Sequence, residues 1–503
     1  MAGFAPRSSV VAAEQLSSAG GLSLFDAVQL ALEHDPNVAI EQARLAAARG
    51  ALEVATGKFD PVLGSDVTEA DTRIPLSAST SQRNRTLQED LALTELFRAG
   101  LSIQPKIQLL RSEDLTAGTG AANTGTVFFQ VRQPLLRGRG RRATAAGELA
   151  AGREVEASRL DVRHTVAQRV LAVGTQYWTV QAAVANLQAL RASESSSREL
   201  LDNTRKLIAA DQVPAAELVQ LEANMAAKES ARIGGERQLF QARYDLGREI
   251  GLDPMEIGRL PLPGDSFPGL RASEEFLLQE AGRYLDEALR RRADLLAARD
   301  RQSGAAILRQ AAENALLPQL DLVLAPAYSG FSSGSSAGDL IAPLYRNVPG
   351  ASASLSLALS WPIWNHVARG ALVQSDAALR QSALAVDLLV KSIGASVPVA
   401  VDAVGRDARQ LDRAREAVRL FERAVVNEEK KLRGGTSTIL DVITQRDRLD
   451  AARQVVVAAE LALAVALLRL RFETGTLLGG EKETAVVDAS RLITVPPPEE
   501  GLR

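Results

Sequence analysis

The sequence predicts an α+β protein made of an internal structural repeat, with very long antiparallel helices between short groups of strands. Three observations lead there. The chain reads twice: Ala31 to Leu63 overlays Ala288 to Leu320 without a gap, at an offset of 257, and matches at Ala31, Leu32, Arg44, Ala48, Ala55, Pro61 and Leu63. In each copy a charged helical stretch breaks at the same proline and becomes alternating sequence, and a repeat of this size means two copies of one structural unit. Two later anchors keep the order, Pro134 with Pro362 and Glu217 with Asp441. The second observation is length. From Thr144 to Ile208 and from Arg369 to Leu432, apolar residues recur every three or four positions, giving runs of about 65 residues, or roughly 100 Å, where globular helices rarely exceed about 20 residues. The third is alternation. In Leu355-Ser356-Leu357-Ala358-Leu359-Ser360-Trp361 every second residue is large and apolar, the period of a half-buried strand.

The elements follow in order. Residues 1–21 read as an N-terminal extension, and 22–250 as the first repeat: a helix from Leu24 to Lys58, strands over about 60–134, a long helix over about 144–208, a tip at about 209–214 and a return helix over 214–250. Residues 251–275 join the copies. The second repeat, 276–476, has a helix from Leu277 to Ala315, strands over about 318–362, a long helix over about 369–432, a tip at about 433–438 and a return helix over 438–474; residues 477–503 form a C-terminal tail. Pro398 lies inside the second long helix and predicts a kink or local break. Two short helices stacked end to end match one long helix, so each repeat packs as a long helix beside a stacked pair.

Alternation also marks Val127, Phe129 and Val131 against Gln130 and Arg132, Leu320, Leu322 and Leu324 against Asp321, and Leu101, Ile103, Ile107 and Leu109 against Ser102, Gln104, Lys106 and Gln108. Such strands suit a membrane barrel with a polar lumen. Two strands in the second copy and two to four in the first fall short of the eight or so that a small barrel needs, so several chains must close it together. Pro61 to Pro134 spans 73 residues and Pro318 to Pro362 spans 44, leaving the first copy 29 more. That excess fits an added hairpin, Thr86 to Leu96 and Leu101 to Leu110, turning at Arg98-Ala99-Gly100. The polar stretches Ser77 to Arg85, Glu113 to Thr124 and Phe331 to Asp339 read as loops at its far end.

Composition removes other classes. The 503 residues carry a net charge of −3 with mixed signs throughout, so no basic field for nucleic acid exists. Cysteine is absent, which excludes disulfides, thiolate metal sites and a cysteine nucleophile. No stretch approaches the roughly 18 to 20 uninterrupted apolar residues of a spanning helix. Met1 to Gly21 lacks the apolar core of a secretory signal, so an exported protein would begin here in mature or altered form. Gly138-Arg139-Gly140-Arg141-Arg142-Ala143 superficially resembles a dinucleotide-binding turn, yet the helix after it is far too long for the short crossover that fold needs. His34, His164 and His366 are scattered without metal spacing. No metal, cofactor or enzymatic constellation is expected.

The ordered elements, twice over, resemble the TolC family of outer-membrane efflux and secretion channels. The resemblance is carried by Leu316-Leu317-Pro318-Gln319-Leu320, by Leu359-Ser360-Trp361-Pro362-Ile363-Trp364 and by Gly434-Gly435-Thr436-Ser437-Thr438-Ile439-Leu440-Asp441-Val442, and it covers about Leu22 to Leu478. It implies a homotrimer in which a long antiparallel α-helical barrel and a transmembrane β-barrel are each completed by trimerisation. It implies the outer membrane of a Gram-negative bacterium, extension into the periplasm, and an equatorial region for which 251–275 and 477–503 are the candidates. It further implies a periplasmic adaptor (membrane fusion) protein and an inner-membrane transporter as partners, in a tripartite efflux pump or a type I secretion system.

Site expectations concentrate at the tips. By resemblance Asp441 falls where the family places an acidic residue at the periplasmic constriction, with Glu217 as its counterpart. A ring of three carboxylates would attract cations. The same residues also read as helix starts, Thr438-x-x-Asp441 as a capping box and Glu217 after Pro214. The family's second acid one turn later is Thr444 here, and its latching Tyr and Arg are Leu432 and Ser437. Adaptor contact is expected over Lys206, Asp211 and Pro214 and over Lys431, Arg433, Gly434 and Gly435. At the membrane rim, Arg137 and Arg139 would meet lipid phosphates, with Trp361 and Trp364 as interfacial aromatics. The competing class is a soluble elongated coiled-coil scaffold protein, which explains the helices but not the strands restored at matching points.

Overall fold

The structure, a computed structural model, describes residues 21–210, 214–270, 279–346, 350–480 and 486–496. These form two compact units. One is Leu45–Ala157 with Ala298–Val386, and the other holds the rest, including Ser158–Ala297 and the chain from Asp387 onward. The N-terminal extension predicted over 1–21 lies almost wholly outside the described residues, as do parts of 251–275 and 477–503.

In the first unit, six strands run β1 (Val62–Pro75), β2 (Ser81–Leu96), β3 (Ser102–Asp114), β4 (Ala122–Pro134), β5 (Gln319–Ser333) and β6 (Ala351–Ser360). They form one antiparallel sheet in sequence order, with β1 and β6 as its two edges. Four strands therefore come from the first copy and two from the second. Pairing puts Leu91 opposite Ile107, Ile107 opposite Val127, Val127 opposite Tyr328, and Leu324 opposite Leu355. Because side chains alternate across a strand, one sheet face collects these apolar residues. The other collects Asp90, Lys106, Gln108, Thr126, Arg132 and Asp321, including the ion pairs Lys106–Asp90 at 3.0 Å and Arg132–Asp321.

The β2–β3 turn forms at Arg98-Ala99-Gly100: Gly100 N–H donates to the Phe97 carbonyl at 2.8 Å, with Gly100 at φ 95°. A Cβ there would stand 2.4 Å from the Gly138 carbonyl oxygen, so only glycine fits. Arg98 lies over the Phe59 ring at 4.9 Å and pairs with Glu148 at 2.7 Å. The polar stretches expected as loops are shorter than the sequence suggests, since β2 begins at Ser81, β3 ends at Asp114 and β5 continues to Ser333. Backbone pairing needs no apolar side chains, and Arg83 with Asp71 adds a cross-strand ion pair.

Besides single turns at Arg141–Thr144 and Pro254–Ile257, the helices among the described residues are α1 (Leu24–His34), α2 (Pro36–Thr56), α3 (Ala146–Ala209), α4 (Glu217–Ile250), α5 (Ala281–Arg291), α6 (Ala293–Asn314), α7 (Ala337–Ile341), α8 (His366–Arg433) and α9 (Ile439–Glu473). The 64 residues of α3 and 68 of α8 extend about 100 Å each at 1.5 Å per residue. Two helical expectations are corrected. The helix read from Leu24 to Lys58 is broken at Asp35, and the helix read from Leu277 to Ala315 at Arg292. Asp35 precedes Pro36, whose ring pushes the preceding residue out of the helical region, and its Oδ1 accepts from Asn37 N–H at 2.6 Å to start α2. Of the kink or local break expected at Pro398, the break does not occur: α8 continues through it. The carbonyl that its ring opposes belongs to Gly394, while Ile393, Val397, Val401 and Val404 are buried around it.

Both breaks sit at equivalent joints of the repeat. Gly251 and Gly475 end α4 and α9 at φ 83° and 70°. A Cβ on Gly251 would meet His34 at 3.4 Å, and one on Gly475 the Arg291–Arg292 backbone at 3.0 Å. Around the first joint, Arg169 pairs with Asp35 and with Glu249 at 3.1 Å. Around the second, Arg292 pairs with Glu473 at 2.6 Å and Asp294 at 2.7 Å. The core of this unit buries Tyr177 and Trp178 completely. Tyr177 donates to the Leu22 carbonyl at 2.8 Å, and Trp178 stacks on Phe267 at 5.4 Å, which docks the 251–270 segment. Arg471, buried, donates to the carbonyls of Thr494 and Val495 at 2.6 and 3.0 Å and so docks the C-terminal segment. Burial and nearby Arg491 push its guanidinium down to about 10. His164 is packed against Phe472 at 5.8 Å, and burial lowers its pKa.

Candidate functional site: the paired helical tips

The second tip is built by local rules in sequence. Gly435 N–H donates to the Leu432 carbonyl and Thr436 N–H to the Lys431 carbonyl, both at 3.0 Å, with Gly435 at φ 72°. This is a Schellman closure of α8, which requires a residue comfortable in the left-handed region. Two residues on, a capping box opens α9. Asp441 N–H donates to Thr438 Oγ1 at 3.2 Å, and Thr438 N–H donates to Asp441 Oδ2 at 3.0 Å. Ser437 links the turn to the helix before it, donating to Glu428 at 2.5 Å and to Asp441 at 3.3 Å. Lys431 pairs with Glu428 at 2.9 Å. The Thr438 hydroxyl and N–H hold the Asp441 carboxyl below its ordinary range, with Ser437 and Lys431 adding to the effect. Asp441 is exposed and ionised at neutral pH.

Among the described residues, the first tip shows none of these devices. Ala210 N–H returns to the Lys206 carbonyl at 3.2 Å, and Glu217 N–H to the Pro214 carbonyl at 3.2 Å. Ala216, before α4, has helical backbone angles and no capping side chain. Glu217 is half-buried, and its side chain makes no hydrogen bond or ion pair among the described residues. Lys206, Pro214, Arg433, Gly434 and Gly435 are exposed. Asp211 lies outside the described residues. Thr444, one turn into α9, bonds back to the Leu440 carbonyl at 2.8 Å.

The two tips are held together. Leu201 and Leu221 of the first copy bury against Ile439 and Ile443 of the second, with Leu218, Met225 and Leu432 around them. Below this plug runs a polar clamp with no local signal in sequence. Lys228 reaches Asp447 at 2.8 Å and Asp450 at 2.7 Å, and Asp450 also accepts from Ser193. Arg446 pairs with Glu429 at 2.5 Å and donates to the Ser196 carbonyl at 3.0 Å. Arg232 pairs with Glu194 at 2.6 Å. These charges resemble a solvated helix face in sequence; only the packing of the two hairpins reveals their partners.

The rim residues lie in the sheet unit. Arg137 donates its N–H to the Pro318 carbonyl at 3.3 Å and its guanidinium to the Gln319 side chain, while Arg139 is exposed. Gly138 and Gly140, at φ 80° and 86°, shape the turn there. Trp361, Ile363 and Trp364 project outward, 67 to 83% exposed, after β6. Among the described residues no group of three His, Cys, Asp or Glu side chains could hold a metal ion.

The open amphipathic sheet and the paired long-helix hairpins are shared with known proteins. Residues 284–476 match the family described as outer membrane efflux protein. Solved structures share the fold. The outer membrane protein VceC of Vibrio cholerae is 17% identical, with a TM-score of 0.61 over 90% of this chain and 96% of that one. The Campylobacter jejuni CmeC outer membrane channel is 14% identical, at 0.62 over 93% and 88%. The open-state MtrE outer membrane channel of Neisseria gonorrhoeae is 15% identical, at 0.60 over 92% and 90%. Among curated proteins no sequence matches. The family match thus lies in the second repeat, while the fold of these outer-membrane channels extends across nearly the whole chain.

Proposed function

We propose that three copies of this chain assemble into the outer-membrane conduit of a tripartite efflux pump or type I secretion system. The observation that carries the reading is the sheet: one apolar face, one polar face, and both edges open in a single chain. Open edges seek strands, and three copies of six strands close an eighteen-strand barrel, a size that leaves an aqueous lumen. The helices supply matching surfaces. α8 is long and apolar enough to cross a membrane, yet only 22% of that apolar window is buried within the chain. Its exposed Val373, Leu384, Leu388 and Val399 suit neighbouring helices in an α-barrel.

At the helical end, three Asp441 carboxylates line the mouth, fixed by Thr438 and Ser437, with Glu217 and Thr444 beside them. The exposed Lys206, Pro214, Lys431, Arg433, Gly434 and Gly435, together with Asp211, offer a periplasmic adaptor its contacts, and the adaptor joins the conduit to an inner-membrane transporter. Arg139, Trp361 and Trp364 meet outer-membrane lipid at the rim, and Arg137 braces the turn that presents them. Mild solubilisation of native membranes followed by affinity capture tests the assembly. The expected result is a trimer that retains an adaptor and a transporter; recovery as a monomer from the soluble fraction would favour the scaffold reading instead.

A further inference from the structure

The connection from β5 to β6 folds back onto the sheet. α7 opens with a capping box, Ser336 and Asp339, and the chain continues through Ala342–Leu344 to Arg346. Its footprint is specific. Gly125 and Gly330 are register partners on β4 and β5, and Cβ atoms on them would stand 2.9 and 2.0 Å from Pro343. Ser332 donates to the Asp339 carbonyl at 2.5 Å, Asn123 to the Gly334 carbonyl at 2.8 Å, and Arg111 to the Ser336 carbonyl at 2.6 Å. Arg111, Asn123, Gly125, Gly330 and Ser332 all occupy the sheet face that also carries Ile107, Val127, Phe129, Leu324, Leu355, Leu357 and Leu359. The flap therefore covers the apolar face, not the polar one.

Its position along the strands matters as well. β6 has 10 residues, about the length of a tilted membrane-crossing strand, whereas β4 and β5 have 13 and 15. The flap covers the part of the apolar face that β6 does not reach. Leu340, Ala342 and Pro343 point inward and are buried, while Ile341 and Tyr345 point outward, 48 and 69% exposed. At the opposite end of the same face stands Trp361. Membrane barrels carry aromatic girdles at both interfaces of the apolar band.

We propose that residues 337–346 form a lipid-contacting belt on the outside of the barrel at its loop end, with Ile341 and Tyr345 seated in the outer boundary of the bilayer. The proposal rests on the membrane-channel reading and extends the apolar band beyond the strands. The chain lacks cysteine, so single labels are unambiguous. Ile341→Cys, Tyr345→Cys, Leu357→Cys and Ser79→Cys proteins would each be spin-labelled and reconstituted in phosphatidylethanolamine–phosphatidylglycerol vesicles. Collision with dissolved oxygen is then compared with collision with a water-soluble nickel chelate. The expected oxygen-to-nickel ratio at positions 341 and 345 approaches that at 357 and lies several-fold above that at 79. Values at 341 and 345 equal to that at 79, with 357 in lipid, would overturn the belt alone. Inaccessibility of 341 and 345 to both reagents would also overturn it, by showing protein against them. A nickel-dominated signal at 357 would instead overturn the membrane reading beneath it.

Discussion

At the first joint a cation on the long helix, Arg169, bridges Asp35 at the helix break to Glu249 on the return helix. At the second joint the cation stands at the break itself, where Arg292 meets Glu473 and Asp294 directly. The glutamates and the left-handed glycines occupy equivalent positions in the two copies. The repeat thus preserves a charge-compensated joint while moving the charge from one element to another. The tips do the opposite: one copy carries a Schellman closure, a capping box and a serine tether, none of which the other shows among its described residues.

The largest effect should come from emptying a joint. Arg292→Ala leaves the buried Glu473 and the half-buried Asp294 without their nearest cation, and losing one partner of a buried pair costs about 3–5 kcal/mol. Arg169→Ala exposes the buried Asp35 to the same penalty at the first joint. Thermal melting of the detergent-purified protein followed by circular dichroism should show both variants strongly destabilised, and a silent Arg292→Ala would break the equivalence of the joints. Next in size is Gly475→Ala, which combines left-handed strain of about 1–2 kcal/mol with a contact 3.0 Å from the Arg291–Arg292 backbone. Gly251→Ala should cost less in the same melt, because its nearest neighbour stands at 3.4 Å.

The tips give smaller effects. Thr438→Ala removes a cap worth about 1 kcal/mol, so hydrogen exchange should quicken in the first turn of α9 and stay unchanged in α4. The clamp below should resist pH. Burial of Lys228 favours its neutral form, but hydrogen bonds to Asp447 and Asp450 outweigh that and raise its pKa above the ordinary lysine value. Its contribution is then complete below that ordinary value and is lost only as pH rises through the folded one. Hydrogen exchange around Lys228 should accordingly loosen only in strong alkali, with no Lys228-dependent step near neutrality. Smallest of all, Ala216→Ser should change stability by no more than a few tenths of a kcal/mol, since a serine cap needs the extended backbone that position 216 lacks.

Much of this was legible in the sequence where local physics decides. Thr438 and Asp441 stand at capping-box spacing, Arg98-Ala99-Gly100 is a turn in any setting, and Leu355, Leu357 and Leu359 alternate because one face meets a nonpolar medium. Elsewhere the deciding partner lies far along the chain. Nothing local marks the break at Arg292, which has no proline beside it and depends on Glu473. Lys228 and Asp450 look like solvated charges until two hairpins meet. Residues 337–346 look like a loop because their anchor, the glycine pair Gly125 and Gly330, lies on two other strands. Pro398 is the converse case: it does not end α8, because the buried face of a very long helix carries the chain past it.

The central claim is that the capped acid of the second tip sets the character of the pore mouth. Single-channel recording in planar bilayers, comparing the native protein with Asp441→Asn and Glu217→Gln, tests it most directly. Asp441 is ionised and fixed in place, so Asp441→Asn should lower cation-over-anion permeability clearly and Glu217→Gln should lower it less. Unchanged selectivity in Asp441→Asn, or a shift confined to Glu217→Gln, would contradict the account.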